Sequence, residues 1–498
     1  MNSYFAIAFI AFLVATLATY AVRAFAFQIG FVDVPDGRRK THRGPVALGG
    51  GLAVLIGAVF AVSVAFIFPT TIGVRLGENL GYVRGLGIAV AIIAVVGFAD
   101  DWYGLRGRQK LLGQLIAAFA IVASGLVIDR VRILGAEFNL GVVAIPITVL
   151  WLLLAINSLN LIDGIDGLAS TLGIIISLTL AGMCVLQGKS VDAVLAIALA
   201  GALCGFLGFN LPPARIFLGD TGSMLIGLSV GSIAIHSAFK AQATVGLLAP
   251  LALLSIPLLD SLAAIVRRKL TGRSIYATDR GHLHHCFIHR GWSNWQTLVG
   301  IGLLCAVTCI AALVSVYLRA ESLAAISVIM VVSILVSTRM FGYAEFMLVR
   351  NRMASLGRSL LTPARRGPGH RGEKVQIQGT HNWDAMWDGI HQTAVEAGIS
   401  RLRLDVNLPR FHESYHAHWE SPASGDETLE SWYFELPVLL EGQTIGRLDV
   451  KGAAKRIDPE SGVALAALFI AQIRDRAQAI TSSDPAPANP PGKLAIAS

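Results

Sequence analysis

Charge is scarce in this 498-residue chain: Asp, Glu, Lys and Arg make up 14% of it, against 54% apolar residues and a mean hydropathy of +0.64. A water-facing surface needs roughly a quarter of its residues charged, so an ordinary soluble globular protein is excluded. Cysteine is equally thin. The five (Cys184, Cys204, Cys286, Cys305 and Cys309) form no CxxC pair and imply no disulfide framework. The first apolar run, from about 4 to 27, has neither a basic start nor an A-x-A exit, which argues against a cleaved signal peptide and for a retained span.

The few charges are unevenly spread. Residues 1–340 hold 23 Lys+Arg and 14 Asp+Glu, whereas residues 341–498 hold 17 and 18. Within the first part, apolar runs of membrane-crossing length fall near 4–27, 47–69, 85–99, 111–128, 142–157, 168–186, 191–209, 222–239, 243–266, 296–318 and 322–340. The expected fold is therefore an all-α polytopic membrane protein of about eleven transmembrane helices with a small C-terminal α/β domain on the cytoplasmic side. Its parts are a membrane domain over 1–340, a basic Gly/Pro linker over 341–380, an α/β module of GAF-like pattern over 381–481 and a disordered tail over 482–498. Within the module, helices are expected at 383–398 and 460–480, and strands at 401–406 and 431–451 with a turn at Glu441-Gly442-Gln443.

Alternate loops differ in charge: one set carries fourteen Lys and Arg, the other seven. The positive-inside rule puts the richer set in the cytoplasm and the N-terminus outside. The basic pI of about 9.4 follows from that topology and not from nucleic-acid binding. Carboxylates gather on the same side, and near a membrane such groups are costly unless paired, metal-bound or functional. Helix capping and solvated loops account for any one of them, but not for four clusters on one side.

The first cluster is Asp100-Asp101 at the end of the third span, where two adjacent acids call for Mg²⁺ or a cation such as Lys110. The second is Asn157-Ser-Leu-Asn160-Leu-Ile-Asp163-Gly-Ile-Asp166-Gly, which sets Asn160 and Asp163 on one helix face; oxygen ligands of this kind suit Mg²⁺ bridging to phosphate. The third, Phe217-Leu-Gly219-Asp220-Thr221-Gly222-Ser223, opens an apolar run, so its backbone N–H groups can hold phosphate, although a plain N-cap reads the same way. The fourth, from Arg267 to Arg290, places His282, His284, His285 and His289 among six Lys and Arg, an anion receptor for which a zinc site is the rival reading.

Together these stretches, in the order DD, NxxNxxDGxDGLA, PAxxFxGDTGS and RGHLHH, resemble the polyprenyl-phosphate N-acetylhexosamine-1-phosphate transferases, glycosyltransferase family 4, over residues 1–340. The resemblance implies Mg²⁺-dependent transfer, with Mn²⁺ as a substitute, of a sugar 1-phosphate from a UDP-N-acetylhexosamine to undecaprenyl phosphate. It places the protein in the bacterial inner membrane, among lipid and without nucleic acid, at the start of a cell-envelope polysaccharide such as lipopolysaccharide. It further implies Asn160 and Asp220 as metal ligands, Asp100 and Asp101 as the acidic pair at the acceptor, and Asp163 and Asp166 as acids ordering metal and nucleotide. Lys40, Phe217, Arg280, His282, His284 and His285 match donor-binding positions, although the loop after Lys40 reads Gly44-Pro45-Val-Ala-Leu-Gly-Gly50 where the family has Thr-Pro-x-x-Gly-Gly. RGHLHH is similar to the N-acetylglucosamine branch and lacks the three consecutive histidines of the muramoyl-pentapeptide branch. A one-step displacement needs no protein nucleophile; a covalent aspartyl-phosphate route is the alternative. A cation-coupled transporter is the rival class, but it predicts acids at span centres and inverted repeats. For the C-terminal module, self-association as a homodimer or regulation is expected.

Overall fold

The computed structural model describes residues 2–34, 44–68, 70–133, 136–239, 248–270, 281–347, 349–350, 353, 371–378, 381–408, 413–421 and 431–483. Lys40, Arg280, most of the basic linker and the tail from residue 484 lie outside them. The chain divides into two compact units, one of residues 1–263 with 282–340, the other of 264–281 with 341–498.

In the first unit the apolar runs are helices: α1 (Asn2–Ile29), α2 (Gly50–Ile67), the short α3 (Thr71–Glu78), α4 (Leu80–Tyr103), α5 (Gly107–Ala123), α6 (Ala144–Ile162), α7 (Leu168–Leu186), α8 (Ser190–Asn210) and α9 (Gly219–Phe239). They continue with α10 (Leu248–Leu253), α11 (Ser255–Leu270), which runs on past residue 263, α12 (Leu283–His289), α13 (Asn294–Leu318) and α14 (Glu321–Ser337). Among the described residues, eight helices are long and apolar enough to cross a membrane: α1, α2, α4, α6 with its preceding turn, α7, α8, α9 and α13. The other three expected spans come out as 17-residue helices at α5 and α14, and as the separate α10 and α11 where one run over 243–266 was expected.

Helix α9 is the centre of the bundle, packed against α2, α4, α6, α7 and α8. With lipid as the solvent outside, helices associate through close van der Waals packing, which small residues permit. Gly201 and Gly205 of α8 meet α1 so closely that an added Cβ would lie 2.4 Å from the Ala8 carbonyl oxygen and 2.3 Å from that of Phe12.

The last turn of α9 holds a polar group deep in apolar surroundings. His236 Nδ1 lies 2.7 Å from Asp192 Oδ1 in the first turn of α8, and its ring stacks at 3.8 Å on Tyr82, whose hydroxyl is 3.3 Å from Ser232 Oγ. The side chains of His236 and Asp192 are 5% and 3% exposed. Removing one partner strands the other, so His236→Leu is expected to cost about 3–5 kcal/mol, read as a lower melting temperature in detergent. Sixteen residues of α9 separate His236 from Asp220, about 24 Å at 1.5 Å per residue, so protein that still folds is expected to keep its turnover.

The first unit also holds two short antiparallel pairs, β1 (Val32–Asp33) with β2 (Val46–Ala47) and β3 (Arg130–Ile133) with β4 (Ala136–Asn139). The second contains a five-stranded antiparallel sheet in the order β5-β7-β6-β9-β8, with β5 (Arg371–Gln378), β6 (Ile399–Leu408), β7 (Glu413–Glu420), β8 (Ser431–Leu440) and β9 (Gln443–Ala453). Helices α15 (Asp384–Glu396) and α16 (Pro459–Ser483) contribute Trp387, Ile390, Phe469 and Ile473 to a core shared with Leu404, Tyr415 and Leu448. The β8–β9 hairpin turns at Glu441 and Gly442, both at positive φ, as a two-residue turn of this twist requires. Two strands depart from the sequence expectation. The segment 371–378, read as linker, is an edge strand, because Lys-Val-Gln-Ile-Gln alternates once clear of the Gly- and Arg-rich lead. The strand at β7 was not foreseen, since Tyr415, Ala417 and Trp419 alternate with histidines that dilute the apolar signal.

Candidate active site

Asp100 and Asp101 lie in the last turn of α4, which ends at Gly104 with φ of +66°. The two acids face different partners. Asp101 accepts hydrogen bonds from the Asp220 N–H (2.8 Å), the Thr221 N–H (3.2 Å) and the Thr221 hydroxyl (2.7 Å), and so caps the start of α9 from a neighbouring helix. Bare backbone makes that approach possible: a Cβ on Gly97 would lie 2.4 Å from Thr221 Cα, and one on Gly51 of α2 would lie 2.2 Å from the Gly222 nitrogen. Gly219, at φ +73°, turns the chain into α9 with no side chain to obstruct the Asp101 carboxylate.

Asp100 accepts from the Leu105 N–H at 2.7 Å and from Lys110 Nζ at 2.8 Å. Lys110, on the first turns of α5, also pairs with Asp220. Asp220 in turn accepts from Asn160 Nδ2 at 2.7 Å, and the same amide reaches Ser223 Oγ at 3.0 Å. Four elements thus meet in one chain of charged and polar groups, Asp100–Lys110–Asp220–Asn160. Asn157, one turn before Asn160, is turned elsewhere: its amide donates to Gln114 Oε1 at 2.8 Å and to the Leu153 carbonyl at 2.8 Å.

Asp163 ends α6. Desolvation, reinforced by the negative charges of Asp220, Asp101 and Asp166, pushes its carboxyl well above the usual carboxylate range. Asp166 accepts the Ala214 N–H at 2.9 Å, tying the DGIDG loop to the segment ahead of α9. Phe217, in that segment, has a half-buried side chain, and its backbone is held by Ala47 O (2.9 Å) and Gly50 N (3.0 Å).

The histidines come from α12 and its cap. His284 packs against the DGIDG loop so tightly that a Cβ on Gly164 would lie 2.2 Å from its Nε2. Its Nδ1 is buried with no hydrogen-bond partner among the described residues. Burial, then the nearby His285 and His282, hold His284 well below the ordinary imidazole range, so it packs on the loop as a neutral ring. The His285 ring lies 4.3 Å from that of His284, and the His282 ring is parallel to it at 6.0 Å.

The structure therefore brings together Asp100, Asp101, Asn160, Asp163 and Asp220, with His284 against the loop between Asp163 and Asp166. Two residues stand out that the motifs did not mark as site residues. Lys110 bridges the first and third clusters; Asp260 of α11 holds His282, as described below. Asp260 is the sole acid in the run 243–266, a signal too slight to assign a partner. Among the described residues no group of three or more His, Cys, Asp or Glu side chains gathers as a closed metal cage. Mg²⁺ needs none, since it keeps several waters and uses one or two carboxylates beside substrate phosphates. Asp220 and the charge-crowded Asp163, with the neutral oxygen of Asn160, fit that donor chemistry.

Comparison with known proteins gives the same direction. The glycosyl transferase family 4 model matches residues 83–238, which span α4 to α9. A probable undecaprenyl-phosphate N-acetylglucosaminyl 1-phosphate transferase of Bacillus subtilis is 36% identical over 311 residues, 62% of this chain and 84% of the relative. A decaprenyl-phosphate N-acetylglucosaminephosphotransferase of Mycobacterium tuberculosis is 33% identical over 335 residues, 62% and 81% respectively. A phospho-N-acetylmuramoyl-pentapeptide-transferase of Desulforudis audaxviator is 33% identical over 299 residues, 53% and 83%. With the clusters joined in one site and relatives matched over four fifths of their length, the chain belongs to glycosyl transferase family 4 and is a phosphotransferase enzyme.

Proposed function

We propose that the protein transfers N-acetylglucosamine 1-phosphate from UDP-N-acetylglucosamine to undecaprenyl phosphate, releasing UMP and starting a cell-envelope polysaccharide at the bacterial inner membrane. The observation that carries this reading is the Asp100–Lys110–Asp220–Asn160 chain at one end of the bundle, joined to relatives named for polyprenyl-phosphate N-acetylglucosamine phosphotransfer. The fourteen-to-seven loop charge supports placing that end in the cytoplasm, with the N-terminus outside.

In the reaction an oxygen of the lipid phosphate forms a bond to the donor's β-phosphorus, and the bond from that phosphorus to the bridging oxygen breaks, the electron pair leaving with UMP. A phosphate monoester loses its second proton near pH 6, so at neutral pH the attacking group needs no dedicated base and no aspartyl intermediate. Asp100 then serves to hold Lys110, whose ammonium neutralises charge beside Asp220. Asp101 fixes the α9 start, where Asp220 and the helix N-terminus face the phosphates. Asp220, Asp163 and Asn160 would hold Mg²⁺, which when bound would supply charge neutralisation for the donor diphosphate.

The test is UMP and lipid-linked sugar formation by purified full-length protein in detergent, given UDP-N-acetylglucosamine and undecaprenyl phosphate. Product is expected with Mg²⁺, is expected to vanish with excess EDTA and to return on adding Mg²⁺. Absence of product with every UDP-hexosamine tried, from protein shown to be folded, would overturn the reading and favour a transporter.

A further inference from the structure

We infer that Asp260 is a positioning residue, setting the imidazole of His282 in the tautomer that leaves Nε2 for the substrate side; this rests on the proposed transfer reaction. Asp260 is wholly buried within α11, and its two oxygens do two jobs. Oδ1 accepts the Leu283 N–H at 2.7 Å, and Oδ2 lies 2.9 Å from His282 Nδ1. The first bond caps the seven-residue α12, whose N-cap residue, His282, makes no side-chain cap bond of its own. The second fixes a proton, because an ionised carboxylate only accepts, so Nδ1 must carry the hydrogen and Nε2 is the nitrogen left over.

The arrangement extends inward by packing. His282 at 6% exposure and His284 at 2% stand parallel, and His284 closes on Gly164 between Asp163 and Asp166. A rotation of His282 therefore disturbs the ring that lies on the carboxylate loop. Pre-organisation of this kind matters most where charge develops late, on the departing UMP.

Asparagine at 260 separates the two jobs. Its carbonyl oxygen still caps Leu283, while its NH₂ faces His282 Nδ1 as a donor and forces the opposite tautomer, with the hydrogen on Nε2. The experiment compares wild-type protein with Asp260→Asn, full length and in detergent, by UMP release under saturating donor and by ¹⁵N-histidine spectra assigned with His282→Gln. The expected result is kcat lowered about 30-fold or more with little change in donor KM, an unchanged melting temperature, and His282 switching from the Nδ1–H to the Nε2–H tautomer. A kcat within about threefold of wild type, or wild-type His282 found as the Nε2–H tautomer, overturns the inference. If Asp260→Asn does not fold, the wild-type spectrum alone decides it. If wild type makes no product yet shows the Nδ1–H tautomer, the reaction reading fails while the Asp260–His282 geometry stands, so the two failures are told apart.

Discussion

Asp220→Ala is expected to lower turnover by about 10²–10³-fold or more, with the protein still folded and still carrying its helices. Three observations set that size. Among the described residues Asp220 is the one carboxylate bonded by both Lys110 and Asn160, it occupies the first turn of α9, and its backbone N–H is held by Asp101 irrespective of its side chain. Removing the carboxylate deletes a proposed metal ligand and leaves Lys110 on Asp100 alone. Asp220→Asn keeps the shape and the Asn160 neighbour while losing the charge, and is expected to be nearly as inactive. UMP release measures the loss, and thermal unfolding in the same detergent shows whether it is separate from stability.

Gly97→Ala is expected to abolish properly assembled protein, or to leave a small fraction with activity down about a hundredfold. The new methyl carbon would lie 2.4 Å from Thr221 Cα and 2.7 Å from its nitrogen, and neither can rotate away. Overpacking ordinarily costs 1–3 kcal/mol, and backbone on both sides puts this site at the upper end or beyond. Any relief moves α9 away from α4, stretching the three bonds to Asp101 on which the site geometry depends. Gly87→Ala, on the same helix with nothing within 4 Å, is the control and is expected to be neutral or slightly stabilising. Size-exclusion chromatography and melting temperature distinguish the two variants.

Much of this arrangement is legible in the sequence, for a physical reason. Membrane-length apolar runs fix where loops fall, and polar residues that recur at the ends of alternate runs must meet at one end of the bundle. Asp100, Asn160, Asp163 and Asp220 are found together on that logic. Partner choice is less legible. The adjacent acidic pair calls for a cation such as Lys110, but it does not say that Asp101 will cap a helix 119 residues away while Asp100 takes the lysine. Asp192, His236 and Asp260 are each the lone charged or His residue of an apolar run, without spacing to pair them, so only packing reveals His236 beside Asp192 and His282 beside Asp260. Which ring of the histidine cluster is dry is likewise not legible, because density of His and Arg in a loop does not tell which one packing will bury.

Helix α9, which carries Asp220 at one end and His236 at the other, has its whole membrane-length window buried inside the protein, whereas that of α1 is 22% buried. Lipid tails therefore meet the outer helices and not the one that bears Asp220. Bilayers of different thickness are accommodated by tilting peripheral helices, at fractions of a kcal/mol per ångström of mismatch. A helix shielded in this way keeps its depth and register while its neighbours lean, so the position of Asp220 is expected to be insensitive to bilayer thickness.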